Sequence, residues 1–185
     1  MRTITLLLGG ARSGKSYFAQ EAAKKHQKVL FVATAEAGDE DMRRRIRIHR
    51  QERPSGWRTL ETPLQVGRRI EESIQAESLV IIDCITLLVT NVICQTDEKD
   101  FDHVSEELLE KKVYAEIREL QDCFKKVSAG FILVSNEVGL GIVPDNRISR
   151  IYRDLLGRSN QMLAQSADEV YLMVAGIPLR VKPQN

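Results

Sequence analysis

The sequence predicts an α/β protein, a mostly parallel sheet covered by helices on both faces and closed by a C-terminal antiparallel hairpin. Three observations carry this expectation. Short β-branched runs alternate with longer stretches of helical period. The runs are almost continuously apolar, as in Leu79-Val80-Ile81-Ile82, which suits strands buried on both faces. The first run, at 4–8, leads straight into a glycine-rich loop and then a helical pattern.

Taken in order, that loop is Gly9, Gly10, Ala11, Arg12, Ser13, Gly14, Lys15 and Ser16, a complete G-x-x-x-x-G-K-[ST] phosphate-binding loop. Its glycines let the backbone wrap phosphates so that successive N–H groups donate, and the following helix adds the positive end of its dipole. Lys15 is placed to reach the β- and γ-phosphates, and the Ser16 hydroxyl to ligate Mg²⁺. A helix is expected over 16–25, strands over 29–33 and 79–83, and helices over 39–51 and 63–75. Helices over 104–126 and 145–167 follow, with strands over 131–135 and 170–174. The last helix carries Ile148, Ile151, Tyr152, Leu155, Met162 and Leu163 as one apolar stripe. Ala175-Gly176-Ile177-Pro178 is too short for a crossover, so 179–182 returns as a hairpin partner. The polar stretch 95–103 reads as an exposed loop.

At 185 residues the chain fits a single domain over 1–185, with no internal repeat or linker. Its 27 Lys and Arg against 26 Asp and Glu leave a net charge of +1, which gives no support to a nucleic-acid or membrane-surface role. The first strand starts at the third residue and no apolar stretch spans a bilayer, so neither a signal peptide nor a membrane span is expected, and the location expected is cytoplasmic. Cys84, Cys94 and Cys123 lack C-x-x-C spacing and are expected to be small buried apolar side chains.

Ligands of open parallel sheets bind beyond the carboxyl ends of the strands. Asp83 ends one run, where it is either the carboxylate that holds Mg²⁺ or a simple cap of the next element. After the 131–135 run, Asn136 and Glu137 are either ligand contacts or ordinary loop formers beside Gly139 and Gly141. The segment from Thr34 to Pro54 is acidic first and arginine-rich later. On a helical wheel Met42, Ile46, His49 and Arg53 share one stripe. His49 is then either incidental to a solvated basic helix or a neutral imidazole able to attack phosphorus, with arginines neutralising the charge on a triphosphate. The second reading suits a phosphoramidate intermediate.

Several stretches together resemble one family. They are the 9–16 loop, Ile46-Arg47-Ile48-His49-Arg50-Gln51-Glu52-Arg53-Pro54 with Gly56-Trp57-Arg58-Thr59, and Asp83-Cys84-Ile85-Thr86 with Thr90-Asn91. Ser135-Asn136-Glu137-Val138-Gly139-Leu140-Gly141-Ile142-Val143-Pro144 and Gly157-Arg158-Ser159-Asn160-Gln161 complete the set. The chain resembles, over nearly its full length, the bifunctional adenosylcobinamide kinases / adenosylcobinamide-phosphate guanylyltransferases of cobalamin biosynthesis. The resemblance implies a three-layer, RecA-like P-loop NTPase fold, a homotrimer, Mg²⁺, and GTP and ATP as substrates. It implies phosphorylation of the aminopropanol hydroxyl of adenosylcobinamide, then transfer of GMP from GTP to adenosylcobinamide phosphate. A GMP-histidine at His49 would carry that transfer, with adenosylcobinamide-GDP and pyrophosphate as products. Nucleotide contacts are implied at the phosphate loop, Thr34, Ala35, Glu36, Arg50, Gln51, Glu52, Arg53, Glu61 and Asp83. The competing expectations are a P-loop kinase for another small molecule without nucleotidyl transfer, and a noncatalytic nucleotide switch.

Overall fold

The computed structural model describes residues 2–35, 54, 56–95 and 104–183. Seven strands form one sheet: β1 (Ile4–Gly9), β2 (Val29–Ala33), β3 (Arg58–Glu61), β4 (Leu79–Asp83), β5 (Gly130–Val134), β6 (Glu169–Val174) and β7 (Ile177–Lys182), in the order β3-β2-β4-β5-β1-β6-β7. Every pairing is parallel except β6 with β7, which is the antiparallel hairpin expected from the short 175–178 connection. The described helices are α1 (Lys15–Ala23), α2 (Val66–Ser73), α3 (Ile85–Cys94), α4 (Glu106–Lys126) and α5 (Arg147–Ser166).

Alternation along the central strands sorts their side chains into two cores. Leu30, Val32, Val80, Ile82, Phe131 and Leu133 face α2, α3, α4 and α5, while Val29, Phe31, Leu79, Ile81, Ile132 and Val134 face α1. Continuous hydrophobicity in the sequence is the trace of these two buried faces. Phe124 of α4 and Phe131 of β5 tilt together with centroids 4.7 Å apart.

The helix ends follow local chemistry. Ser105 caps α4 by accepting from Leu108 N–H at 3.3 Å, with Glu106 and Glu107 in the first turn and Lys125 and Lys126 in the last. Asn146 caps α5 through Ser149 N–H at 2.8 Å. The last carbonyls of α5 accept from Lys182 Nζ, with Ala164 O at 2.9 Å and Ala167 O at 2.7 Å, which ties the end of the hairpin to the helix. At the start of α2 the cap comes from elsewhere: Glu116 and Glu119 of α4 accept from Val66 N–H at 2.8 Å and Arg68 N–H at 3.0 Å.

Gly67 makes that docking close. A Cβ there would stand 2.6 Å from Glu119 O and 3.0 Å from Leu120 Cα, both α4 backbone atoms that cannot turn aside. Gly67→Ala should therefore cost about 1–3 kcal/mol through overpacking. Thermal melting should show a drop of several degrees with nucleotide binding intact; an unchanged melting temperature would mean that the two helices are not in close contact.

Two elements were not expected from the sequence. β3 is a four-residue edge strand, exposed at both ends and paired only to β2, too short for its alternation to register. α3 is apolar nearly all round, and its Ile, Val and Thr content gives no helical period. The expected helix 39–51 and most of the expected loop 95–103 lie outside the described residues.

Candidate active site

The loop between β1 and α1 is held in shape by backbone conformations that favour glycine. Gly9 has φ +149° and Gly14 φ +93°, and a Cβ on Gly9 would meet Met173 O at 2.6 Å. A Cβ on Gly14 would meet the Cα of Gly176, in the β6–β7 turn, at 3.0 Å. The same turn donates Gly176 N–H to Ser13 O at 3.0 Å, so the C-terminal hairpin braces the loop from its far side. Lys15 is buried, and its ammonium donates to Gly9 O at 2.8 Å and Gly10 O at 2.6 Å. Gly10, Ala11 and Arg12 are exposed at the tip, Ser13 is buried beneath it, and Ser16 is half-buried in the first turn of α1.

Sheet register places the other expected residues on one edge. Glu61 pairs with Ala33, Ala33 with Asp83, Asp83 with Val134, and Val134 with Leu7, two residues before the loop begins. Strands are about 4.8 Å apart, so Asp83 and Leu7 are separated by about 10 Å across β5. Thr34 and Ala35 follow Ala33 directly. Asn136 and Glu137 follow β5 toward the loop, and Glu137 N–H donates to Gly9 O at 3.0 Å.

Buried polar groups fix this edge. Thr34, fully buried, donates its hydroxyl to Cys84 O at 2.7 Å and accepts Cys84 N–H at 2.8 Å, while its carbonyl accepts from Asn91 at 2.8 Å. Its side chain is thus engaged in holding β2 to the end of β4. Beyond β5, Ser135 donates to Asn160 Oδ1 at 2.7 Å, Asn160 Nδ2 donates to Asn136 O at 3.1 Å, and Asn136 N–H donates to Thr86 Oγ1 at 2.7 Å. Such fully paired networks hold one geometry, because any other leaves a buried partner unsatisfied. The Glu137 carboxylate accepts from Gly139 N–H at 2.6 Å.

Electrostatics tie Lys15 to Asp83. Burial pushes the Lys15 ammonium below its ordinary value, and the neighbouring Cys84 and Asp83 partly oppose that. A buried cation near a carboxylate at the mouth of a phosphate loop is suited to an incoming anion and its counter-ion. Desolvation, with Asp83 beside it, pushes the Cys84 thiol up to about 11, and burial raises Cys123 to about 12. Neither is a nucleophile at neutral pH. Only Cys94 is exposed among the three, so thiol titration of the native protein should read one fast group, and all three after denaturation. Cys84 is half-buried with its thiol raised, and labelling it as fast as Cys94 would contradict that. The cysteines are thus not uniformly buried, as the sequence reading expected.

The structure brings Gly9 to Ser16, Thr34, Ala35, Glu61, Asp83, Asn136 and Glu137 together at the carboxyl edge of the sheet. Glu36, His49, Arg50, Gln51, Glu52 and Arg53 lie outside the described residues. Sequence reasoning did not single out Thr86, Asn91, Asn160 or Gly176 for the parts they play here. Asn160, a polar residue inside the apolar stripe of α5, was the available signal.

Fold and loop together define a P-loop nucleotide-binding α/β protein. Among solved structures the chain is similar to the RadB recombinase, with a TM-score of 0.50 and 14% identity over 92% of this chain and 73% of that one, a likeness that supports the RecA-like fold. The chain belongs to the cobinamide kinase / cobinamide phosphate guanyltransferase family, whose model it matches over residues 5–181. It is 40% identical to the bifunctional adenosylcobalamin biosynthesis protein CobU of Escherichia coli K12, over 96% of this chain and 98% of that one. It is 41% identical to the bifunctional adenosylcobalamin biosynthesis protein CobP of Pseudomonas aeruginosa, over 96% of each. The chain is accordingly a bifunctional transferase of cobalamin biosynthesis.

Proposed function

We propose that one nucleotide site serves both reactions of this transferase. The observation that carries the reading is the edge where the phosphate loop, Asp83 and Glu137 meet, with Lys15 in the field of Asp83. In the kinase step the aminopropanol oxygen of adenosylcobinamide bonds to the γ-phosphorus of ATP or GTP. The bond to the β–γ bridging oxygen breaks, and the hydroxyl proton leaves to solvent. Lys15 and the loop N–H groups spread the charge on the nucleoside diphosphate that departs. In the second reaction a ring nitrogen of His49 bonds to the α-phosphorus of GTP and pyrophosphate leaves, held by the same loop. The phosphate of adenosylcobinamide phosphate then takes GMP, the N–P bond breaks and the imidazole is restored.

Ser16 and Asp83 are the residues that would hold Mg²⁺. Among the described residues no three His, Cys, Asp or Glu side chains converge, and Mg²⁺ needs only one or two protein oxygens when phosphates complete its shell. Held by these two residues, Mg²⁺ would supply positive charge to offset the charge that develops on the phosphates. Asp83→Asn, nearly isosteric, should melt like the parent and require much higher Mg²⁺ for both reactions. An unchanged Mg²⁺ titration with a lowered melting temperature would mean that Asp83 only caps α3.

The remaining contacts follow the family resemblance: Ala35, Glu36, Arg50, Gln51, Glu52, Arg53 and Glu61 toward the nucleotide, with Thr34, whose hydroxyl and main chain are both hydrogen-bonded within the protein, fixing the edge beside them. Asn136 and Glu137 face the acceptor. Residues 1–185 act as one domain in the cytoplasm; no helix among the described residues is long and apolar enough to cross a membrane. The homotrimer follows the family resemblance, and the outer strand β7, where Ile177, Leu179 and Val181 stand exposed at a sheet edge, offers a surface for contact between copies. Incubation of the protein with adenosylcobinamide, GTP and Mg²⁺ tests the whole reading. Formation of adenosylcobinamide-GDP is the expected product, and accumulation of the phosphate alone would leave a kinase without nucleotidyl transfer.

A further inference from the structure

One large cleft is used by nothing described so far. α4 and α5 have 21 and 20 residues, about 30 Å each, and outreach strands of four to six residues. Between them lies a cleft of about 820 Å³, with Gly139 among the residues that line it. Two smaller cavities, of about 380 and 430 Å³, contain no residue of the segment 135–141.

The chemistry of the walls is specific. Glu106, Glu110 and Tyr114 of α4 stand against Arg158 and Gln161 of α5. The Tyr114 hydroxyl donates to Glu110 within electrostatic reach of Arg158, so acceptors and donors converge from both helices. Arg153 also lines the cleft but is paired with Asp154 at 3.3 Å, and a phosphate drawn to Arg158 would meet the carboxylates of Glu106 and Glu110. Neutral primary amides, which both donate and accept, match such a wall. Directly after Gly139 comes an apolar lip, with Leu140 at 85%, Ile142 at 96% and Val143 at 55% exposure. The rim is also close to the phosphate loop: Glu137 N–H reaches Gly9 O at 3.0 Å, and two further residues lead to Gly139, a span on the order of 10 Å.

We propose that this cleft and its 140–143 lip hold the corrin macrocycle of the acceptor. The peripheral carboxamides lie against Glu110, Arg158 and Gln161, the methyl-bearing edge rests on the lip, and the alcohol arm runs past Glu137 to the phosphate loop. A corrinoid combines an apolar, methylated ring with a fringe of amides, which is the pairing that cleft and lip offer. The assignment rests on the two-reaction reading above and adds to it the place where the acceptor binds.

Equilibrium dialysis of adenosylcobinamide, followed by its visible absorbance in the presence of Mg²⁺ and a non-hydrolysable GTP analogue, tests it. The variants are Arg158→Glu and Ile142→Asp, both at exposed positions. Each should weaken corrinoid binding by at least about tenfold, while sedimentation and the incorporation of GMP from GTP alone stay as in the parent. Hydrogen exchange of the parent should show protection over 106–114 and 153–161 on adding adenosylcobinamide, a readout that needs no variant. Parent protein that binds no corrinoid would defeat the two-reaction reading itself. Parent binding with variants within twofold, or binding without that protection, would overturn the cleft assignment alone. Altered sedimentation of Ile142→Asp with corrinoid binding retained would overturn it as well and make the lip a contact between copies of the chain.

Discussion

Lys15→Ala should disable kinase and guanylyltransferase activity together, each by about 10²-fold or more in kcat/KM. Lys15 is the one cation that the described structure buries against the carbonyls of Gly9 and Gly10. Burial lowers its pKa, so an anion arriving at the loop regains electrostatic energy that the protein alone leaves unrealised. On the single-site proposal that anion is the β,γ-phosphate of the donor in the first reaction and the departing pyrophosphate in the second, so one side chain would stabilise charge at both leaving groups. The fold should survive, because removing a desolvated charge also removes its burial cost. Guanylylation within about threefold of the parent, with kinase activity gone, would mean two separate nucleotide sites.

His49→Ala should split the two activities. Transfer of GMP should fall by about 10³-fold or more, as when an enzyme nucleophile is deleted, because the α-phosphorus loses its only proposed covalent carrier. Transfer of the γ-phosphoryl group needs no imidazole and should stay within about tenfold of the parent. Lys15→Ala and His49→Ala thus give different signatures, loss of both activities against loss of one. His49→Ala losing both equally would make the histidine a nucleotide-positioning residue rather than the carrier. Arg47, Arg50 and Arg53 flank His49 in the sequence.

Much of this fold was legible because its elements repeat one physical pattern. β2, β4 and β5 are apolar on consecutive residues since helices cover both their faces. The hairpin was legible from the shortness of 175–178. β3 was not, because Arg58-Thr59-Leu60-Glu61 gains its strand conformation from pairing with β2 and not from its own composition. α3 was not, because a helix buried on most sides has no polar face to set a period. The phosphate loop was readable from spacing alone, and Asp83 as the last residue of its strand. The supports of the site were not: Gly176 meets the loop from more than 150 residues away in sequence, and the Ser135–Asn160–Asn136–Thr86 network exists only once three elements are packed.

The central claim, that guanylyl transfer runs through His49 at the phosphate-loop site, is tested most directly by intact-protein mass spectrometry after incubation with GTP and Mg²⁺ and no corrinoid. The expected spectrum gains one GMP per chain, through a bond labile to acid and stable to base. Peptide mapping should place it on His49, and adding adenosylcobinamide phosphate should discharge it. An adduct that persists in His49→Ala, or that maps to His26 or His103, would contradict the account.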